Sequence, residues 1–383
     1  MKRYLVLAAL AACNWTKFDD LQNSTWAHSQ KVPDGVGSTD YAVAIAPVTD
    51  TSSGNAGSLA VLGTNATSYS QLDFDAKGNA SNGAQNALSG DGIVQLSMQP
   101  LFIGDNAGNV VLAQGDGVAI SVLYGAADMP GVTTVPSTGS ADGATLMGSL
   151  LVIASGTTLI SIDTSKLVPT VTTCNATASG GTMIAPVVAL AHDAAAIYAW
   201  TTDGSLLSFT PPLAATTCAA NATTFTATGF QPTPGSRVFI AGSHAVLVGH
   251  DASTTGQVFV ADLTKTGMSG TAVLEGLDGM VSSTLAPMGT NLEYFLALGY
   301  PGRAVNGITS GQVELYTYDA MNATLDTTVV ETLENAEPAN GQLFGRDLTV
   351  MTFNDVGVLA VAAKGELFVY YQTLEYPVDT RHH

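Results

Sequence analysis

Beyond residue 40 the chain alternates between short apolar runs and clusters of Gly, Asp, Asn, Ser and Thr. Short runs rich in Val, Ile, Leu and aromatic residues, bounded by turn residues, predict β-strands. The runs come in pairs: a strand of small and β-branched residues, a Gly/Asp/Asn turn, then a strand ending on an aromatic residue or Asp. Ser58–Gly63 leads to Tyr69–Phe74, Gly108–Ala113 to Val118–Tyr124, Leu150–Ala154 to Leu159–Asp163, and Ala196–Trp200 to Ser205–Phe209. Ala245–Gly249 leads to Gln257–Asp262, Tyr294–Gly299 to Gln312–Tyr318, and Val358–Ala362 to Glu366–Tyr370. Seven hairpins spaced in this way approach the repeat of about 40–50 residues that propeller blades show. Each unit leaves room for two more strands upstream of its hairpin. The prediction is all-β: a β-propeller of seven blades, each of four antiparallel strands. A pair of β-sandwiches fits the period too, so the period alone leaves both open. No amphipathic helix stands out. Ala185–Ala199 is Ala-rich, but its β-branched residues and Asp193 predict strands there as well.

The first residues follow a different pattern. Met1-Lys2-Arg3 is positive, and Tyr4–Ala12 is an unbroken apolar run. The run is far short of the ~20 residues that span a bilayer, and has the form of a signal-peptide h-region. It ends Leu10-Ala11-Ala12-Cys13, which resembles the lipobox of bacterial lipoproteins. The resemblance implies that the Cys13 thiol takes a diacylglycerol, that cleavage makes Cys13 the first mature residue, and that this lipid is the membrane partner. Asn14 in place of Asp implies the outer membrane by the usual Gram-negative sorting rule, with the face left open. An ordinary signal peptide with a chance cysteine is the alternative. The divisions are therefore a signal peptide over 1–12, a lipidated cysteine and tether over 13–39, the propeller over 40–376 and a tail over 377–383, which holds His382 and His383. The tether carries Trp15, Phe18, Leu21 and Trp26, so it is more than polar linker.

Composition agrees with strands and narrows the partners. Hydrophobic residues are 46% of the 383 positions, enough for a large core, whereas charged residues are only 11%. Long soluble helices need Glu, Lys and Arg on their wet face, and this chain has few to give. The net charge is −19, with no basic stripe, which excludes nucleic acid as a partner on electrostatic grounds.

Cys174 and Cys218 lie in matching settings, Thr172-Thr173-Cys174 and Thr216-Thr217-Cys218, and 218 − 174 = 44 residues is close to one repeat. Equivalent positions of adjacent units lie side by side, so the pair is a disulfide candidate in an exported protein. Two free thiols or a metal pair are the alternatives.

The last two repeats carry a further resemblance. Leu343-Phe344-Gly345-Arg346-Asp347-Leu348, Asp355-Val356-Gly357-Val358-Leu359-Ala360-Val361 and Gly365-Glu366-Leu367-Phe368-Val369-Tyr370 are similar to the FG-GAP repeat of integrin-α-like propellers. Leu298-Gly299-Tyr300-Pro301-Gly302 and Gly311–Tyr316 repeat the pattern. The resemblance implies glycines where strands approach closely, closing aromatics packed between blades, and a protein or glycan ligand. Ring closure needs a strand from one terminus in the sheet of the other, and Phe368–Tyr376 is a candidate source.

Calcium loops of FG-GAP blades ring a hard cation with alternating oxygens. Asn354-Asp355 keeps one or two of these oxygens, Asp73–Asn79 has Lys77 where an acid belongs, and Gly104–Asn109 and Gly115-Asp116-Gly117 read as turns. No metal or cofactor motif is found. Of the histidines His28, His192, His244, His250, His382 and His383, His192-Asp193 and His250-Asp251 suggest a base with its orienter. Adjacent residues of a strand point to opposite faces, which argues against a dyad within either pair. The expected function is a non-catalytic envelope binding or adhesion module. A structural subunit of an envelope assembly and a propeller hydrolase or lyase are the alternatives.

Overall fold

The computed structural model describes residues 28–33, 42–48, 57–63, 68–74, 80–87, 101–104, 109–115, 119–126, 131–136, 140–165, 170–253, 255–288, 292–353 and 356–371. Every regular element among them is a strand. The first sheet is Ala42–Val48, Gly57–Gly63, Ser68–Phe74 and Ala80–Ala87; the second is Leu101–Gly104, Asn109–Gly115, Ala119–Ala126 and Gly131–Pro136. The third is Gly143–Met147, Leu150–Ser155, Thr158–Asp163 and Thr170–Thr177; the fourth is Val187–His192, Ile197–Thr201, Ser205–Phe209 and Ala222–Ala227. The fifth has only Arg237–Ala241, His244–His250 and Gly256–Asp262. The sixth is Ser282–Met288, Glu293–Tyr300 and Gln312–Asp319, with Thr324–Leu325 and Glu331–Leu333 sharing its outer edge. The seventh is Leu348–Phe353, Val356–Ala363 and Glu366–Tyr371, completed by His28–Pro33.

The first strand of each sheet touches the first strands of the sheets on either side, and the seventh touches the first. The sheets thus stand as blades around a central channel, with their first strands innermost. A radial sheet is covered on both faces, which is why its strands read as continuous apolar runs rather than as alternation. In Leu150–Ser155 every residue after Leu150 is buried, and in His244–His250 every residue between the two histidines is, at both parities. Each seam has its own core. Trp200, Phe225, Phe230 and Phe259 fill the seam between blades four and five. Phe295, Val313, Phe344, Leu359 and Phe368 fill that between six and seven. Ile45, Leu59, Phe74, Val358 and Val369 fill that between seven and one.

All seven expected hairpins are present, as the second and third strands of their blades. Three details differ from the sequence reading. One strand, not two, lies upstream of each hairpin, because the outer strand follows the hairpin or comes from elsewhere. The segment assigned to the tether supplies His28–Pro33, which pairs antiparallel with Glu366–Tyr371 from His28↔Tyr371 to Pro33↔Glu366. That polar run gives no apolar strand signal because it is an outer edge strand with one neighbour. Nor is every blade four antiparallel strands. Thr216–Ala219 adds a parallel fifth strand to blade three, Met268–Gly270 adds one to blade four, and blade five keeps three strands. These short strands cross back from the following blade, a long-range pairing that no local pattern encodes.

Of the glycines named above, Gly299, Gly311 and Gly345 stand where backbone approaches closely, whereas a Cβ on Gly302 or Gly365 would meet nothing within 4 Å. A Cβ on Gly299 would meet the Gly345 carbonyl oxygen at 2.1 Å and Ser282 Oγ at 2.2 Å. Gly345 has φ +85°, a left-handed backbone that side chains rarely adopt. Phe344 beside it is fully buried, edge-on to Phe368 and Tyr370 with ring centroids 5.1 and 6.4 Å away.

Candidate functional site

The innermost strands run in the same direction, so their starts ring one mouth of the channel and their ends the other. At the first mouth Asp347, just ahead of the innermost strand of blade seven, accepts the Ile45 N–H of blade one at 2.8 Å. Burial pushes its carboxyl up to about 6, and the charges of Arg237 and Arg346 and the N–H groups of Ile45 and Leu348 pull against that rise. Arg237 opens the innermost strand of blade five and is exposed. On the same end of the molecule, Glu314 of blade six is saturated. It pairs with Arg303 and accepts Gln312 Nε2 at 3.0 Å and Tyr316 OH at 2.9 Å, while the Arg303 guanidinium lies 3.7 Å from the Tyr300 ring centroid.

Further along, the channel wall opens into a cavity of about 290 Å³ lined by Thr145, Leu190–His192, Val238–Ile240, Leu285 and Tyr294. Four consecutive blades contribute to it. Its polar pair is Thr145 Oγ1 and His192 Nδ1, 2.7 Å apart. Burial lowers the His192 pKa against the opposing pull of Asp193, so the ring is neutral at pH 7. The Asp193 carboxylate is turned elsewhere: it accepts the N–H groups of Ala195 and Ala196, both at 2.7 Å, and Tyr198 OH at 2.8 Å. In the other pair Asp251 likewise accepts Ser253 Oγ at 2.6 Å and the N–H groups of Ser253 and Thr255. Both aspartates are turn caps, and neither orients its histidine. A neutral recess whose exposed surface is more polar than apolar, lined by one histidine and by the hydroxyl-bearing Thr145 and Tyr294, suits recognition of an uncharged polar group.

Cys174 and Cys218 form a disulfide, with Cα atoms 5.6 Å apart. The bridge does not join equivalent strands of two blades. It ties the outermost strand of blade three to the parallel strand Thr216–Ala219, which the chain of blade four sends back across the seam. Both cysteines are buried. Asp73, the start of one calcium candidate, accepts Ser58 Oγ at 2.7 Å and Gln71 Nε2 at 2.9 Å across its own sheet. Cys13, 75–79, 105–108, 116–117, 354–355, His382 and His383 lie outside the described residues. Among the described residues no three His, Cys, Asp or Glu converge on a metal site.

The sequence reading singled out His192 but missed its partner Thr145, 47 residues away on the neighbouring blade, and missed Asp347. The available signal for Asp347 was its place directly after the Phe344-Gly345 turn and ahead of an apolar strand.

No family model matches the chain, and no curated protein matches it. Among solved structures it is similar to the WD40 β-propeller domain of Doa1, at 9% identity over 91% of this chain and 98% of that one, with a TM-score of 0.52. A computationally designed protein, Ika8, aligns over 88% of this chain and 98% of its own at 11% identity and a TM-score of 0.46. The blades around a central channel and the likeness to the Doa1 domain agree: the fold is a β-propeller.

Proposed function

We propose that the chain is a lipid-anchored envelope protein whose propeller serves as a non-catalytic binding module, with a protein or glycan as its ligand. The observation that carries the binding role is the channel recess. A closed ring of blades holds Thr145, His192, Phe239 and Tyr294 around it, and rigid scaffolds with such recesses present binding groups at fixed positions. The FG-GAP-like character rests on Phe344-Gly345 and Gly299, which pack as that repeat would require. Export is supported by the buried disulfide, which needs an oxidising compartment to form. Lipidation is supported by the run from Lys2 to Cys13. The closing strand begins 15 residues after Cys13 (28 − 13), so the intervening chain reaches at most about 50 Å from the bilayer.

Protease shaving and cross-linking of intact cells test the reading. Digestion of the wild-type protein on whole cells, release of a Cys13→Ala variant and cross-links to a ligand support a surface binding module. Resistance until the outer membrane is opened refutes the surface role, and a propeller without cross-links on either side refutes the binding module.

A further inference from the structure

The channel recess exposes more polar surface than its side chains explain. Most of its lining residues are apolar, among them Leu190, Val238, Phe239 and Leu285, yet its exposed surface is more polar than apolar. The backbone supplies part of the difference. Leu190–His192 and Val238–Ile240 belong to innermost strands, which have a sheet neighbour on one side only. Alternate residues of such an edge turn their N–H and C=O groups away from the sheet, here toward the channel. Among the described residues none of these six has a backbone hydrogen bond outside its own sheet. A row of backbone donors and acceptors therefore stands beside the apolar side chains.

Two side-chain atoms join that row. The Thr145 hydroxyl holds His192 Nδ1 at 2.7 Å, which leaves Nε2 as the ring atom that can meet a ligand. Among the described residues neither Nε2 nor the Tyr294 hydroxyl has a hydrogen-bond partner. Neutral Nε2 donates in one tautomer and accepts in the other, and a phenol does both. A ligand hydroxyl satisfies either atom in any of these states. No Asp, Glu, Lys or Arg lines the recess, whereas Phe239 and Tyr294 bring two aromatic rings to it. The recess lies toward the second mouth, because His192 ends its strand and Tyr294 pairs with Pro287 near the end of the innermost strand of blade six. At about 290 Å³ it falls at the lower limit of small-molecule sites, about 300–1,000 Å³, and has room for one ring rather than a chain of them.

We propose that this recess binds a single neutral sugar ring, the terminal unit of a glycan that enters from the second mouth. Phe239 and Tyr294 pack on its C–H faces, and its hydroxyls bond to His192 Nε2, the Tyr294 hydroxyl and the strand-edge amides of blades four and five. The proposal rests on the binding-module reading and names its ligand class. One side chain of a partner protein offers one or two hydrogen-bonding atoms, whereas this wall calls for several from one compact group. Sugars with a carboxylate or an ammonium group are rejected, because a charge taken from water into the recess finds no partner.

Isothermal titration calorimetry of the full chain tests it. The probes are the methyl glycosides of glucose, galactose, mannose, fucose and N-acetylglucosamine, with glucuronic acid and glucosamine as charged controls. At least one neutral glycoside is expected to bind about tenfold or more tightly than either control. Tyr294→Phe, which removes a single oxygen atom, and His192→Gln are each expected to weaken that binding by about fivefold. Binding that is unchanged in Tyr294→Phe and His192→Gln overturns the assignment to the recess. Binding of no neutral glycoside, or equal binding of the charged controls, overturns the ligand class. A protein cross-linked on intact cells in that case leaves the binding-module reading standing, and the absence of any cross-link removes both.

Discussion

The seam between blades three and four and the seam between blades seven and one are held by different chemistry. At the first, a strand from blade four crosses back, pairs in parallel with the edge of blade three and is locked by the Cys174–Cys218 bridge. The joined residues are only 44 apart in sequence. At the second, the fastening among the described residues is noncovalent. His28–Pro33 pairs along six residues with Glu366–Tyr371, Lys31 reaches Glu366 at 2.7 Å, and Asp347 holds the Ile45 N–H over a separation of 302 residues. A short crossover closes a small loop and forms early, whereas joining the two ends of a chain closes the largest loop available. The comparison teaches that the ring is stapled where the chain is local and depends on strand pairing where it is not.

Deleting residues 28–33 breaks the comparison most severely. It strips the outer strand from blade seven and uncovers the Glu366–Tyr371 edge, and the expected loss is a large part of the about 5–15 kcal/mol that a domain has in total. Urea denaturation of the truncated chain should show a lower midpoint, together with self-association through the bared edge. Replacing both Cys174 and Cys218 by Ala should cost about 3–4 kcal/mol in the loop-entropy model, again by urea denaturation, with the wild type under reducing conditions matching the variant. Equal losses from the deletion and the double substitution would erase the difference between the two seams.

Gly299→Ala probes the neighbouring seam between blades six and seven. Its Cβ would meet backbone oxygen at 2.1 Å, which a side-chain shift cannot relieve, so about 3 kcal/mol of destabilisation is expected in a thermal melt. Asp347→Asn has the smallest effect and the opposite sign. The folded state raises the carboxyl from 3.8 to about 6, so the folded chain holds this proton more tightly than the unfolded chain. Stability contributed by the protonated group is therefore present below about pH 4 and is lost as pH rises to about 6. Asparagine keeps an oxygen for the Ile45 N–H without the charge. The variant should gain about 1–3 kcal/mol at pH 7.5 and lose the slope between pH 4 and 6.

Much of this architecture was legible in the sequence, because a radial sheet buried on both faces leaves an unmistakable apolar run. Leu150–Ala154 and Ala245–Gly249 announce themselves in this way. What stayed hidden has one buried face or none. His28–Pro33 reads as tether, and Thr216–Ala219 and Met268–Gly270 carry no apolar run, because an outer strand needs only backbone hydrogen bonds from a partner far away. The disulfide was legible in its spacing but not in its placement, since the crossing strand that carries Cys218 leaves its own blade. The channel recess was illegible for the same reason: Thr145, His192, Phe239 and Tyr294 come from four blades and share no local motif.

The central proposal is a lipid anchor on Cys13, 15 residues ahead of the strand that closes the ring (28 − 13). Metabolic labelling with an alkyne-tagged palmitate, followed by membrane fractionation of a bacterial host, tests it most directly. The account predicts a labelled wild-type protein in the outer-membrane fraction, and an unlabelled Cys13→Ala variant that is absent from it yet folded in the soluble fraction. A wild-type protein that takes up no label and remains soluble would contradict it.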